Sequence, residues 1–108
     1  QNIFKTLDNS TEVLKYKDLE VSPSRGTLSG SNKELELTKN EMLIFQHLLN
    51  NQNRIVSRDE LMTILWNNEQ YINDNALTVN ISRLRSKLEG FGYPDAIETR
   101  KGQGYILL

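Results

Sequence analysis

The chain has 108 residues, enough for one hydrophobic core, and no cysteine, which excludes disulfides, thiolate metal sites and a thiol nucleophile. Lys and Arg number 13 against 14 Asp and Glu, so the formal charge is −1, which argues against a uniformly basic surface. At 37% apolar and 25% charged residues the composition is globular, no apolar run reaches membrane-span length, and the missing cysteines point to a reducing cytoplasm.

Residues 1–11 are polar and aperiodic, the expected end of a linker or a fraying strand, and the start at Gln1 suggests a fragment cut from behind a preceding domain, with processing or tagging as the alternative origins. A single domain is expected over 12–108. From Val13 to Leu37, four short apolar alternations are separated by Pro23-Ser24-Arg25-Gly26 and Gly30-Ser31-Asn32, which predicts a small antiparallel sheet. Thr38 and Glu41 then form a capping box, with Leu37 and Met42 as its hydrophobic staple. A helix follows on Met42, Phe45, Leu48 and Leu49 and stops at the polar run 50–53.

The signature repeats with Ser57 and Glu60 as the box and Val56 and Leu61 as the staple. This second helix runs to about Asn67, with Leu61, Ile64 and Leu65 buried and Trp66 closing one side of the core. Residues 67–75 are turn formers without a period and read as a loop. A third helix spans about Asn75 to Glu89 with Gly90 as its C-cap, and Leu77, Ile81, Leu84 and Leu88 form its inward stripe. Ile97 to Arg100 and Tyr105 to Leu107 flank Lys101-Gly102-Gln103-Gly104, a C-terminal β-hairpin.

Charge is unevenly spread along the chain. Between 76 and 88 lie Arg83, Arg85 and Lys87 with no acid, whereas Asp18, Glu20, Glu34, Glu36, Asp59 and Glu60 lie upstream. On a wheel the side of the third helix opposite the leucines carries Asn75, Val79, Ser82, Arg83 and Ser86, flanked by Thr78 and Arg85 on one edge and Asn80 and Lys87 on the other. On an isolated helix such a face is ordinarily just solvated. Here two helices precede it and a hairpin tipped by Arg100 and Lys101 follows, the layout of a helix-turn-helix with a wing. Arg can read guanine, Asn adenine, and an exposed methyl group thymine in a major groove, while a basic wing tip can reach a minor groove or phosphates.

Other residue groupings are weaker. His47 is the single histidine and reads as a surface or half-buried side chain, and Asp59 and Glu60 as dipole-favouring acids at a helix start. Tyr71 is open to either a contact or a packing role. No nucleophile, base and metal grouping can be assembled, so neither catalytic residues, a metal nor a cofactor is expected. A protein-binding winged module is the competing reading, kept open by the net acidity and opposed by the sign of the third helix.

Leu77-Thr78-Val79-Asn80-Ile81-Ser82-Arg83-Leu84-Arg85-Ser86-Lys87-Leu88, followed by Ile97-Glu98-Thr99-Arg100-Lys101-Gly102-Gln103-Gly104-Tyr105, closely resembles the OmpR/PhoB-type effector domain of bacterial two-component response regulators. The likeness extends upstream through 37–41 and 56–61 and covers roughly 13–107. It implies an α+β winged helix-turn-helix: a four-stranded N-terminal antiparallel sheet, three helices and a C-terminal hairpin wing. It also implies sequence-specific binding of double-stranded DNA on a direct-repeat operator, by a domain that is monomeric alone, dimeric on DNA, and attached to a receiver domain. By position it places Val79, Ser82 and Arg83 at bases, Asn80, Arg85 and Thr99 at or beside the DNA backbone, and Lys101 in the minor groove. Lys87 and Arg100 join the backbone set as basic neighbours on the helix edge and the wing tip. The loop 67–74 matches a segment that touches RNA polymerase in several members. Asn80, Ser82 and Lys101 stand where many members have His, Arg and Arg, which bears on the base sequence read. Within the family, the wing 100–105 is similar to that of regulators answering bacitracin and cationic antimicrobial peptides.

Overall fold

A computed structural model describes residues 14–30, 33–66 and 74–108. In chain order the elements are β1 (Leu14–Tyr16), β2 (Leu19–Ser22), β3 (Thr27–Ser29), β4 (Glu34–Glu36), α1 (Lys39–Asn50), α2 (Arg58–Trp66), α3 (Asp74–Gly90), β5 (Ile97–Arg100) and β6 (Gly104–Leu107). The expected α+β set of a four-stranded antiparallel sheet, three helices and a terminal hairpin is present. Two compact units divide the chain, one ending at Thr38 and one spanning Lys39–Leu108.

In the first unit the strands pair in sequence order, and the register lines up Leu14, Val21, Leu28 and Leu35 across all four. The next row is Lys15, Glu20, Ser29 and Glu34, so the two-residue period of the strands separates an apolar face from a polar one. Val21 and Leu28 are wholly buried, whereas Lys15, Glu20 and Glu34 are exposed. The turn from β2 to β3 closes where Gly26 takes a φ of +68° and its N–H donates to the Ser22 carbonyl at 2.8 Å. That left-handed conformation costs glycine nothing.

In the second unit α1 packs against α2, α3 and β6, and α2 against α3. The buried stripe of α1 is Glu41, Ile44, Phe45 and Leu48, the i, i+3, i+4, i+7 spacing of one helix face. Leu49, expected on that stripe, is half-buried, and Ile44 takes the inner place. Leu61 and Leu65 of α2 and Leu77, Ile81, Leu84 and Leu88 of α3 complete the helical core with Val56, Ile97 and Leu107.

The capping predictions resolve individually. Ser57 accepts the Glu60 N–H at 3.1 Å, as an N-cap should, but the Glu60 carboxylate pairs with His47 of α1 instead of reaching back to Ser57. His47 is accordingly half-buried. Gly90 is not the C-cap of α3: the helix includes it, and the left-handed residue is Gly92, with φ +98°, beside the Tyr93 N–H to Leu88 carbonyl bond of 2.9 Å. Trp66, expected to close the core, is 63% exposed, because it lies about 100° round the helix from Leu65.

Candidate nucleic-acid interface

Helix α3 buries the predicted leucine stripe and turns Asn75, Thr78, Val79, Ser82, Arg83 and Ser86 outward. Val79, Ser82, Arg83 and Ser86 follow helical spacing, so they form one continuous strip. Among the described residues Arg83 has no hydrogen-bond or ion-pair partner, which leaves its five donors available. Val79 is 43% exposed, an apolar patch on an otherwise polar strip.

Two residues expected at the DNA backbone are placed otherwise. Asn80 is buried, and its side-chain amide donates to the Ala76 carbonyl at 2.7 Å, one turn back on the same helix. It lies about 60° from Leu77 on the wheel, within the arc the core covers. Lys87 reaches the carboxylate of Glu41 at 2.6 Å, where the Glu41 side chain is only 1% exposed. A buried carboxylate needs a counter-charge, and Lys87 supplies it, so its charge faces α1.

The wing is the β5-β6 hairpin, registered from Ile97 opposite Leu107 to Arg100 opposite Gly104. Its tip closes through the Gln103 N–H to Arg100 carbonyl bond at 2.8 Å, with Gly102 at φ +76°. Next to its tip, Val56 and Tyr105 exchange two backbone hydrogen bonds of 2.8 and 2.9 Å, a single β-bridge. Gly104 makes this approach possible: its φ is +145°, and a Cβ there would lie 2.0 Å from the Val56 carbonyl oxygen. The sequence marked Gly104 as a turn residue; the close approach of a distant segment gives it a second reason.

Arg85, another expected backbone contact, is half-buried and holds β5. Its Nε donates to the Ile97 carbonyl at 3.0 Å and its guanidinium also donates to the Thr99 hydroxyl. Thr99 and Lys101 are exposed, and Lys101 has no ionic or hydrogen-bond partner among the described residues. Arg100 pairs with Glu98 at 2.8 Å with both side chains about half exposed, a surface pair of the weak class that phosphate can displace.

Sequence reasoning passed over Arg58. It opens α2, donates to the Tyr105 hydroxyl at 2.6 Å and, at a long 3.5 Å, to the Thr78 hydroxyl of α3. A cleft of about 430 Å³ lies between it and the wing, lined by Ser57, Arg58, Asp59 and residues 99–105. The only sequence signal was a basic residue one place after an N-cap, and that is common at helix starts. Tyr71 and residues 67–73 of the expected polymerase-contacting loop lie outside the described residues.

Residues 32–107 match the family described as "Transcriptional regulatory protein, C terminal". This chain belongs to that family, the OmpR/PhoB type. The sensory transduction protein BceR of Bacillus subtilis is 48% identical over 86 residues, which are 80% of this chain and 37% of BceR. The C-terminal domain of the nisin resistance regulator NsrR, a lantibiotic response regulator, superposes with a TM-score of 0.76 at 36% identity, covering 87% of this chain and 94% of that one. The DNA-binding domain of Escherichia coli CadC has a TM-score of 0.80 at 26% identity, covering 89% and 91%. The chain spans about two-fifths of the length of the curated relatives it matches. As an OmpR/PhoB-type domain it has the family's winged helix.

Proposed function

We propose that this domain binds double-stranded DNA in a sequence-specific manner, with α3 in the major groove and the wing at the minor groove or backbone, as the transcription-regulating output of a two-component response regulator. The observation that carries the reading is the acid-free strip Val79, Ser82, Arg83 and Ser86 on α3, with Arg83 unpaired among the described residues, on the same unit as a wing that exposes Lys101. Val79, Ser82 and Arg83 contact bases; Arg85, Thr99 and Arg100 contact or align the backbone; Lys101 enters the minor groove. Asn80 and Lys87 are left out, since each faces the protein.

The whole protein is proposed to carry a receiver domain whose pairing sets two such domains on a direct repeat, the isolated domain being a monomer that pairs on DNA. RNA polymerase contact is assigned to residues 67–74 on the family resemblance. No helix among the described residues is long and apolar enough to cross a membrane, and a cytoplasmic site of action is proposed on the family's role. The kinship with NsrR, a lantibiotic response regulator, supports a regulator that answers peptide antibiotics.

Selection from random duplexes followed by polarisation titrations at several salt concentrations tests the reading. Enrichment of a repeated half-site, with affinity falling as salt rises, is expected. A pool that stays random, or binding indifferent to salt, refutes it.

A further inference from the structure

The wing is a two-stranded hairpin, an element with little stability of its own, yet each of its strands receives a guanidinium from elsewhere in the unit. Arg85 of α3 bonds the Ile97 carbonyl and the Thr99 hydroxyl on β5. Arg58 of α2 bonds the Tyr105 hydroxyl on β6 at 2.6 Å, with its guanidinium carbon 5.9 Å from the centre of that ring. The second terminal nitrogen of Arg58 reaches Thr78, the neighbour of Val79 on α3, at 3.5 Å. Tyr105 is 5% exposed and tied by two backbone bonds to Val56, so a group that holds Tyr105 holds the wing next to its tip.

We infer that Arg58 is a positioning residue for recognition: it links the start of α2, the outward edge of α3 and wing strand β6, so that Lys101 meets the duplex at a fixed distance from the strip of α3. The inference rests on the DNA-binding reading above and adds a residue to which that reading assigns no role. The chemistry requires arginine. A planar fork can place one nitrogen on Tyr105 and the other toward Thr78 at once, whereas a lysine ammonium keeps the charge and loses the two-point geometry. A plain phosphate contact by Arg58 would survive that exchange.

The test uses the 108-residue chain with Arg58→Lys, and with Tyr105→Phe as a second variant that removes the acceptor and keeps the ring. In the free protein, 15N relaxation should show wing order parameters near about 0.85 falling toward about 0.6 in both variants, with those of α1 unchanged. In polarisation titrations on the selected duplex, Lys101→Ala should cost about tenfold in the wild-type background and less than about twofold in the Arg58→Lys background, because the loosened wing no longer delivers that ammonium. A wing that keeps its order in both variants overturns the inference. So do equal Lys101→Ala losses in the two backgrounds, zero included, or Arg58→Lys binding like the wild type. A wild type that binds no duplex overturns the DNA-binding reading itself, and is told apart from the other outcomes by the relaxation result.

Discussion

Replacing Lys87 by methionine should separate a residue that serves the fold from one that serves DNA. The Glu41 side chain is 1% exposed and its carboxylate lies 2.6 Å from the Lys87 ammonium, whose own side chain is 26% exposed. Lys87→Met therefore takes the ammonium away from a carboxylate that water cannot reach, and breaking a buried pair in this way costs about 3–5 kcal/mol. For a domain of this size that is a fall in Tm of roughly 10–20 °C. Glu41→Leu takes the carboxylate away from the better hydrated member of the pair and should cost less. Replacing both, as Glu41→Leu with Lys87→Met, removes the desolvation cost along with the attraction and should return stability to within about 1 kcal/mol of the wild type or above it. Urea unfolding of the four proteins, followed by circular dichroism, gives the cycle, and duplex titrations of the double variant should give the wild-type affinity. If Lys87→Met lies within about 0.5 kcal/mol of the wild type, the range of ordinary surface changes, the pair is not the support described here. If the double variant is stable but binds DNA weakly, Lys87 is a phosphate contact after all.

Arg83→Ala should cost about 1–3 kcal/mol on the selected duplex and leave urea unfolding unchanged; equal binding by mutant and wild type in a gel-shift titration dismisses Arg83 as a base reader. Gly104→Ala forces a Cβ to within 2.0 Å of the Val56 carbonyl oxygen at a φ of +145°, and a destabilisation of at least about 2 kcal/mol is expected, with faster amide exchange at Val56 and Tyr105. Unchanged exchange at those two amides would show that the wing does not depend on that approach. Ser57→Ala removes the acceptor of the Glu60 N–H and should cost about 1 kcal/mol in the same unfolding assay; no measurable change would mean that the cap is not stabilising α2.

Elements set by local period were legible in the sequence, and pairings between distant elements were not. The leucine stripe of α3 and the alternation that becomes the Leu14, Val21, Leu28, Leu35 row follow from spacing within a few residues. Glu41 carries a capping-box signature, and nothing near it tells that its helix face is covered or that its partner sits 46 residues on. Asn80 and Lys87 lie on the edge of the α3 wheel, where burial depends on what packs beside the helix and not on the helix itself. Arg58 finds Tyr105 47 residues away, a pairing with no local trace. Trp66 erred in the other direction: its size suggested core, but its angular position at the end of α2 decided for solvent.

Those pairings change the electrostatics of recognition. Counted along the sequence, α3 and the wing carry five cations: Arg83, Arg85, Lys87, Arg100 and Lys101. The structure assigns Lys87 to a buried acid and Arg85 to the wing strand, which leaves Arg83, Lys101 and the weakly paired Arg100 to displace counterions from phosphates. Each neutralised phosphate contributes about −0.9 to the slope of log affinity against log salt, so three such contacts give roughly −2.7 per domain where five would give roughly −4.5. A measured slope near the steeper value would mean that Arg85 leaves Ile97 and Thr99, or Lys87 leaves Glu41, when DNA arrives. The shallower slope would mean that these two cations stay inside the protein and act on DNA only by holding α3 and the wing in place.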